Sequence, residues 1–168
     1  MKKVTFLLAT LLIGGMMLTG CKKDNNTPGD STSKTIKVSY ALENTLKVDG
    51  DVLTTDNCFK FDVTYTGADG NSVEVKGVTL PWTSAAFDVK TPFSAKIVAK
   101  PVYNEADLPD LFVCGANALI YRDGTLAIRK NDICKRTKDK FLQIAQESPE
   151  DLVIKTEKEV WFKVSDKS

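Results

Sequence analysis

Phe59-Lys60-Phe61-Asp62-Val63-Thr64-Tyr65-Thr66-Gly67-Ala68-Asp69-Gly70-Asn71-Ser72-Val73-Glu74-Val75-Lys76-Gly77-Val78 is the stretch on which the fold turns. Phe59, Phe61, Val63 and Tyr65 alternate with Lys60, Asp62 and Thr64. Side chains of a strand point to opposite faces in turn, so this period of two describes a strand with one face in a core. Ala68-Asp69-Gly70-Asn71 is turn chemistry, and Val73 and Val75 resume the alternation. Gly77 then shifts the parity, so that Val78, Leu80 and Trp82 continue on the buried face. A glycine at a parity break is the sequence mark of a β-bulge. The whole reads as a long antiparallel hairpin.

The same period extends outward. Before the hairpin, Ile36, Val38, Tyr40 and Leu42 alternate with Lys37, Ser39 and Ala41. After it, Phe93, Ala95, Ile97 and Ala99 form a strand expected to end at Pro101. Residues 111–121 and 125–129, joined through Arg122-Asp123-Gly124, predict a second hairpin with an Asp-Gly turn. Between them, residues 104–110 form a loop carrying Glu105, Asp107 and Asp110. Residues 137–147 depart from the pattern: Phe141, Ile144 and Ala145 have helical spacing, Thr137 is placed to cap the start, and Ser148-Pro149 ends the run. Val160, Phe162 and Val164 return to period two as a closing strand. Several short antiparallel strands and one short helix in the C-terminal half predict a mainly β protein, an immunoglobulin-like antiparallel β-sandwich over residues 35–168; a partly open β-barrel is the alternative. Nothing repeats internally.

The N-terminus is of another kind. Lys2 and Lys3 precede an apolar run, residues 4–13, extended by Gly14-Gly15-Met16-Met17 and closed by Leu18-Thr19-Gly20-Cys21. The run is short of the ~20 apolar residues of a spanning helix, and a positive start with small residues before the cleavage point describes a secretory signal peptide, residues 1–20. Leu18-Thr19-Gly20-Cys21 resembles the lipobox of bacterial lipoproteins. The resemblance implies that Cys21 receives a diacylglycerol, that cleavage follows Gly20, and that the new amine is acylated. Several acyl chains hold a protein at a membrane where one binds only marginally. Residues 21–34 form the lipidated N-terminus and a polar tether without a hydrophobic residue after Cys21, unable to offset its ordering entropy. Lys22 stands where an aspartate would imply inner-membrane retention in such lipoproteins, so the resemblance implies the outer membrane. Lys23-Asp24 resembles a surface-export signal, but Asn25 and Asn26 follow in place of further acids, and the membrane face stays open.

Composition narrows the chemistry. Lys and Arg number 23 and Asp and Glu 22, for a net +1; losing Lys2 and Lys3 with the leader makes the mature chain about −1. That balance offers no basic footprint for nucleic acid. Histidine is absent, which excludes His-based triads, His-ligated zinc and imidazole acid–base catalysis. No Gly-x-Ser-x-Gly, Ser-x-x-Lys or phosphate-cradling glycine loop occurs. The composition argues against an enzyme and implies no cofactor and no metal. Asp49, Asp51, Asp56 and Asn57 cluster around Gly50 and have oxygen ligands for calcium, but they lack an EF-hand continuation and Asp-Gly is foremost a turn.

Two further sets of residues are candidates. Trp82 has core parity, whereas Trp161 is expected on an outer face, where it either stacks on a sugar ring, anchors a partner, or is covered by the helix of residues 137–147. Of the cysteines left after Cys21, Cys58 starts an apolar strand and has no base beside it. Cys114 and Cys134 flank the second hairpin. One register sets them opposite each other, pairing Ile120 with Ile128 and placing Leu126 across from Arg122. A register one residue over pairs Leu119 with Ile128 and Tyr121 with Leu126. The pattern does not choose between them; the first allows a Cys114–Cys134 disulfide with Cys58 free. The expectation is a lipid-anchored outer-membrane binding or structural module without catalytic activity, its partner a glycan or a protein. The alternatives are a carbohydrate-binding lipoprotein with Trp161 as platform, and a small hydrolase or its accessory subunit using Asp107 and Asp110.

Overall fold

The computed structural model describes residues 34–161, and in them the central stretch is the hairpin of β4 (Lys60–Thr66) and β5 (Ser72–Val78). Tyr65 pairs with Val73 and Val63 with Val75, but Phe61 pairs with Val78, so β5 carries one extra residue. The bulge falls at the expected glycine: Gly77 has φ +61°, and its N–H donates to Asp62 Oδ1 at 2.9 Å. The extra residue returns Val78 to the buried face beside Phe61 and Val63. Past Val78 the chain leaves this sheet. Trp82 and Thr83 (β6, Trp82–Thr83) pair with Leu42 and Ala41 on the opposite side of the core. Trp82 therefore packs inward, its ring centroid 5.9 Å from that of Tyr65.

Two antiparallel sheets face each other. One has the order β10-β9-β1-β6, with β7 (Phe87–Lys90) also pairing with β1 (Thr35–Glu43); β9 is Leu111–Arg122 and β10 Thr125–Thr137. The other has the order β11-β8-β4-β5, with β8 Phe93–Val102 and β11 Ile154–Val160. Ile36, Val38, Tyr40 and Leu42 face Phe61, Val63, Ala95, Ile97 and Ala99 across a continuous core. No ladder joins the two sheets among the described residues, so the architecture is the two-sheet sandwich and not the barrel. The β4–β5 hairpin is kept inside one sheet.

The second hairpin turns where expected. Asp123 and Gly124 both have positive φ, +49° and +73°, the conformation of the two-residue turn that matches strand twist. Both candidate registers occur. Leu126 pairs with Tyr121 next to the turn, the register shifts between Leu126 and Ile128, and from there Ile128 pairs with Ile120 and Cys134 with Cys114. A bulge at Ala127 converts one register into the other.

Several elements differ from expectation. β8 continues through Pro101 to Val102 because β11 reaches only as far as Ala99; beyond it β8 has an open side where a missing N–H is tolerated. β10 runs on to Thr137, held by pairing with β9 although residues 129–137 alternate poorly. The expected closing strand of Val160, Phe162 and Val164 runs beyond Trp161, outside the described residues; the last strand among them, Ile154–Val160, was not anticipated. Only its ends, Ile154 and Val160, are buried, so its interior shows no apolar period. A short hairpin of β2 (Thr45–Val48) and β3 (Asp51–Thr54), unanticipated, turns on Asp49-Gly50 with φ +50° and +95°.

The helix is as read: α1 (Lys138–Glu147) is capped by Thr137, whose hydroxyl accepts from the Lys140 N–H, and Ser148 ends it before a 3₁₀ turn, Pro149–Leu152. Phe141 docks it edge-on against Phe59, Tyr103 and Phe112. Among the described residues no helix is long and apolar enough to cross a membrane. The leader with Cys21, the tether through residue 33, Phe162 and Val164 lie outside the described residues. At residue 34 the chain is already tied to the sandwich, since the Lys34 carbonyl accepts from the N–H and hydroxyl of Thr91.

Candidate functional site

The residues that carry chemistry fall in three places. The first is a groove at one end of the sandwich, where the β9–β10 turn meets the end of β11. Its volume is about 560 Å³, and its walls come from Arg122, Thr125, Leu126, Lys158, Glu159 and Trp161. The bulge at Ala127 leaves Leu126 exposed beside it. Trp161 is 54% exposed and is not covered by α1. Arg122 donates through Nη1 to the Trp161 carbonyl at 3.0 Å, which fixes the backbone that carries the indole. The lining joins an aromatic face, an aliphatic side chain, both signs of charge and a hydroxyl. Such a mixture suits an amphipathic ligand, with ring stacking on the indole and hydrogen bonds from the rim.

The second place is the cysteine pair. Cys114 and Cys134 face each other across β9 and β10 with their sulfurs 3.7 Å apart as thiols. Cys114 is buried and Cys134 half-buried. With Arg136, Asp132 and Phe141 they line a cavity of about 20 Å³, room for one water. Arg136 Nε is buried there without a hydrogen-bond partner. The hydrogen bond between the two thiols holds Cys134 below the ordinary thiol range, helped by the Arg136 charge, and pushes Cys114 above it, with burial adding to the rise. Cys58 stands apart; burial, then the Asp56 and Asp107 carboxylates, push its thiol up.

The third is a cleft of about 500 Å³ between β8, the end of α1 and the 3₁₀ turn, lined by Lys100, Tyr103, Pro149, Glu150, Leu152 and Lys155 among others. Sequence reasoning missed it. Its residues come from three separated segments, and no local motif joins them.

Several of the acidic candidates have structural work, through backbone or side chain. Asp49 forms the β2–β3 turn. Asp56 clamps β9, its carboxylate accepting from the Val113 N–H at 2.6 Å while its own N–H donates to the Val113 carbonyl. Asp107 lies in a 3₁₀ turn capped by Asn104, and the Asp110 carbonyl accepts from the first N–H of α1. Among the described residues no group of three or more His, Cys, Asp or Glu gathers as a metal site. Of the two registers read for the second hairpin, the one that sets Cys114 opposite Cys134 holds at this position, and the two are thiols in contact, with Cys58 apart from them.

No protein-family model matches the chain, and no curated protein matches it significantly.

Proposed function

We propose that the chain is a lipid-anchored outer-membrane binding module without catalytic activity, held through Cys21 and offering the groove at Trp161 to its ligand. The observation that carries this reading is the exposed indole of Trp161, its backbone fixed by Arg122 at the rim of a roomy groove of mixed polarity. Tryptophan is enriched among the residues that carry most of the energy of binding surfaces. The absence of histidine and of nucleophile motifs supports a binding role over a catalytic one.

The lining favours a carbohydrate ligand in particular. A sugar offers an apolar ring face to the indole and hydroxyls to Arg122, Thr125, Lys158 and Glu159, and it demands no deep apolar pocket. The test is a glycan array probed with the full mature protein and with Trp161→Ala. The expected result is a bound glycan class whose affinity falls by about tenfold or more in the variant, the loss of one stacking anchor. A glycan held equally well by Trp161→Ala removes the groove from the reading. Binding to no glycan removes carbohydrate, and a protein partner captured by the parent and lost by Trp161→Ala then identifies the other class of ligand.

A further inference from the structure

We propose that Cys114 and Cys134 form a thiol–disulfide exchange site, in which Cys134 attacks a small-molecule disulfide and Cys114 resolves the adduct. The geometry of the pair comes first. Directly opposed residues of an antiparallel ladder stand ~4.5–5.5 Å apart at Cα, inside the ~7 Å limit for a disulfide. The sulfurs are already in contact at 3.7 Å. The backbone holds them there: Gly115, next to Cys114, has φ +106°, and a Cβ at that position would lie on the Asp132 carbonyl oxygen. Thr55 donates to the Gly115 carbonyl at 2.6 Å and locks the same segment from the other side.

The roles follow from position. Cys114 is 4% exposed, on a strand paired with β10 here and held on its other side at the neighbouring Val113 by Asp56. Cys134 is half-buried and belongs to β10, the edge strand of its sheet, so it is the sulfur an incoming molecule reaches. Arg136 is two residues on and shares the face of Cys134. Its guanidinium lines the same small cavity and already interacts with both thiols, while its Nε has no hydrogen-bond partner, so a positive group stands beside the sulfurs to stabilise a thiolate. Asp132 and Asp151 also line this cavity, and the Asp132 charge opposes Arg136 at Cys134, whereas Cys58 has the Asp56 and Asp107 carboxylates acting on it and no cation among the groups that shift it.

The exchange balances as follows. The Cys134 thiolate attacks one sulfur of RSSR, forming a mixed disulfide and releasing RS⁻. Cys114 gives its proton to that RS⁻, and its sulfur attacks Cys134, forming the Cys114–Cys134 bond and expelling a second RS⁻, which takes a proton from solvent. Two cysteines are oxidised by two electrons and RSSR is reduced to two RSH.

The experiment exposes the reduced full chain to oxidised glutathione, quenches with acid at intervals, alkylates, and maps every cysteine without reduction. The expected end point is a 114–134 linkage with Cys58 alkylated. Cys114→Ser is expected to stop at a glutathione adduct on Cys134, Cys134→Ser to leave Cys114 unmodified, and Arg136→Met to slow the first step by about fivefold near neutral pH. Early quenching of the parent gives the same answer if a cysteine variant does not fold, because the transient adduct then lies on Cys134. Free thiols at both positions, a bridge through Cys58, or the first adduct on Cys114 would each overturn the proposal.

Discussion

Tyr40 is fully buried, yet its hydroxyl has a partner: it donates to the Thr66 carbonyl at 2.9 Å, while its ring packs on Tyr65 and Phe87. Burial pushes the phenol up to about 12 from an ordinary 10. The fold thus favours the neutral form. Between roughly pH 10 and 12 the unfolded chain gives up this proton and the folded chain keeps it, so stability present below pH 10 is lost as pH rises through the folded value. Tyr40→Phe is expected to cost about 1–2 kcal/mol at neutral pH by orphaning the carbonyl, and to flatten the alkaline limb of a urea-midpoint profile. An alkaline limb as steep as the parent's would remove Tyr40 as its source. Residues differ in how far the sequence betrays them. Gly77 announces itself by breaking a parity. Gly115 does not, because the demand for glycine there comes from the Asp132 carbonyl on the neighbouring strand.

At the level of elements, the strongly alternating strands were legible because one face of each meets the core. β11 was not legible because only its ends are buried. The second hairpin is instructive: the hydrophobic pattern supported two registers because the strand uses both, on either side of the bulge at Ala127. Helix α1 was legible from its cap and apolar spacing, but the face it covers was not. It packs Phe141 into Phe59, Tyr103 and Phe112, and leaves Trp161 open. Phe141→Ala should destabilise by about 3–5 kcal/mol, read as a fall in denaturant midpoint at unchanged slope. A loss under 1 kcal/mol would mean that the helix is held by its hydrogen bonds, such as Lys138 Nζ to the Glu105 carbonyl at 2.8 Å, and not by this ring.

Across the whole molecule, a sandwich leaves open edges, and an unpaired edge invites another strand. Here β5 and β10 each carry a bulge, and β11 alternates Lys155, Glu157, Lys158 and Glu159 along its length, features that discourage edge-to-edge association. The anchoring of this body is a separate question, posed by Cys21. Cys21→Ser is expected to shift the protein out of the membrane fraction or to leave an uncleaved precursor; acyl labelling that survives the substitution would refute the lipobox reading. By itself the sequence determined the class of fold, the main hairpins, the helix with its cap and the two inward faces, since burial of alternate side chains is a local rule that each strand obeys independently. Only the tertiary structure decided the rest: the register at the bulge, the crossing of Trp82 to the opposite sheet, the contact of Cys114 with Cys134 beside Arg136, and the groove at Trp161. Each depends on which strand lies beside which, and that is set by packing the whole core at once.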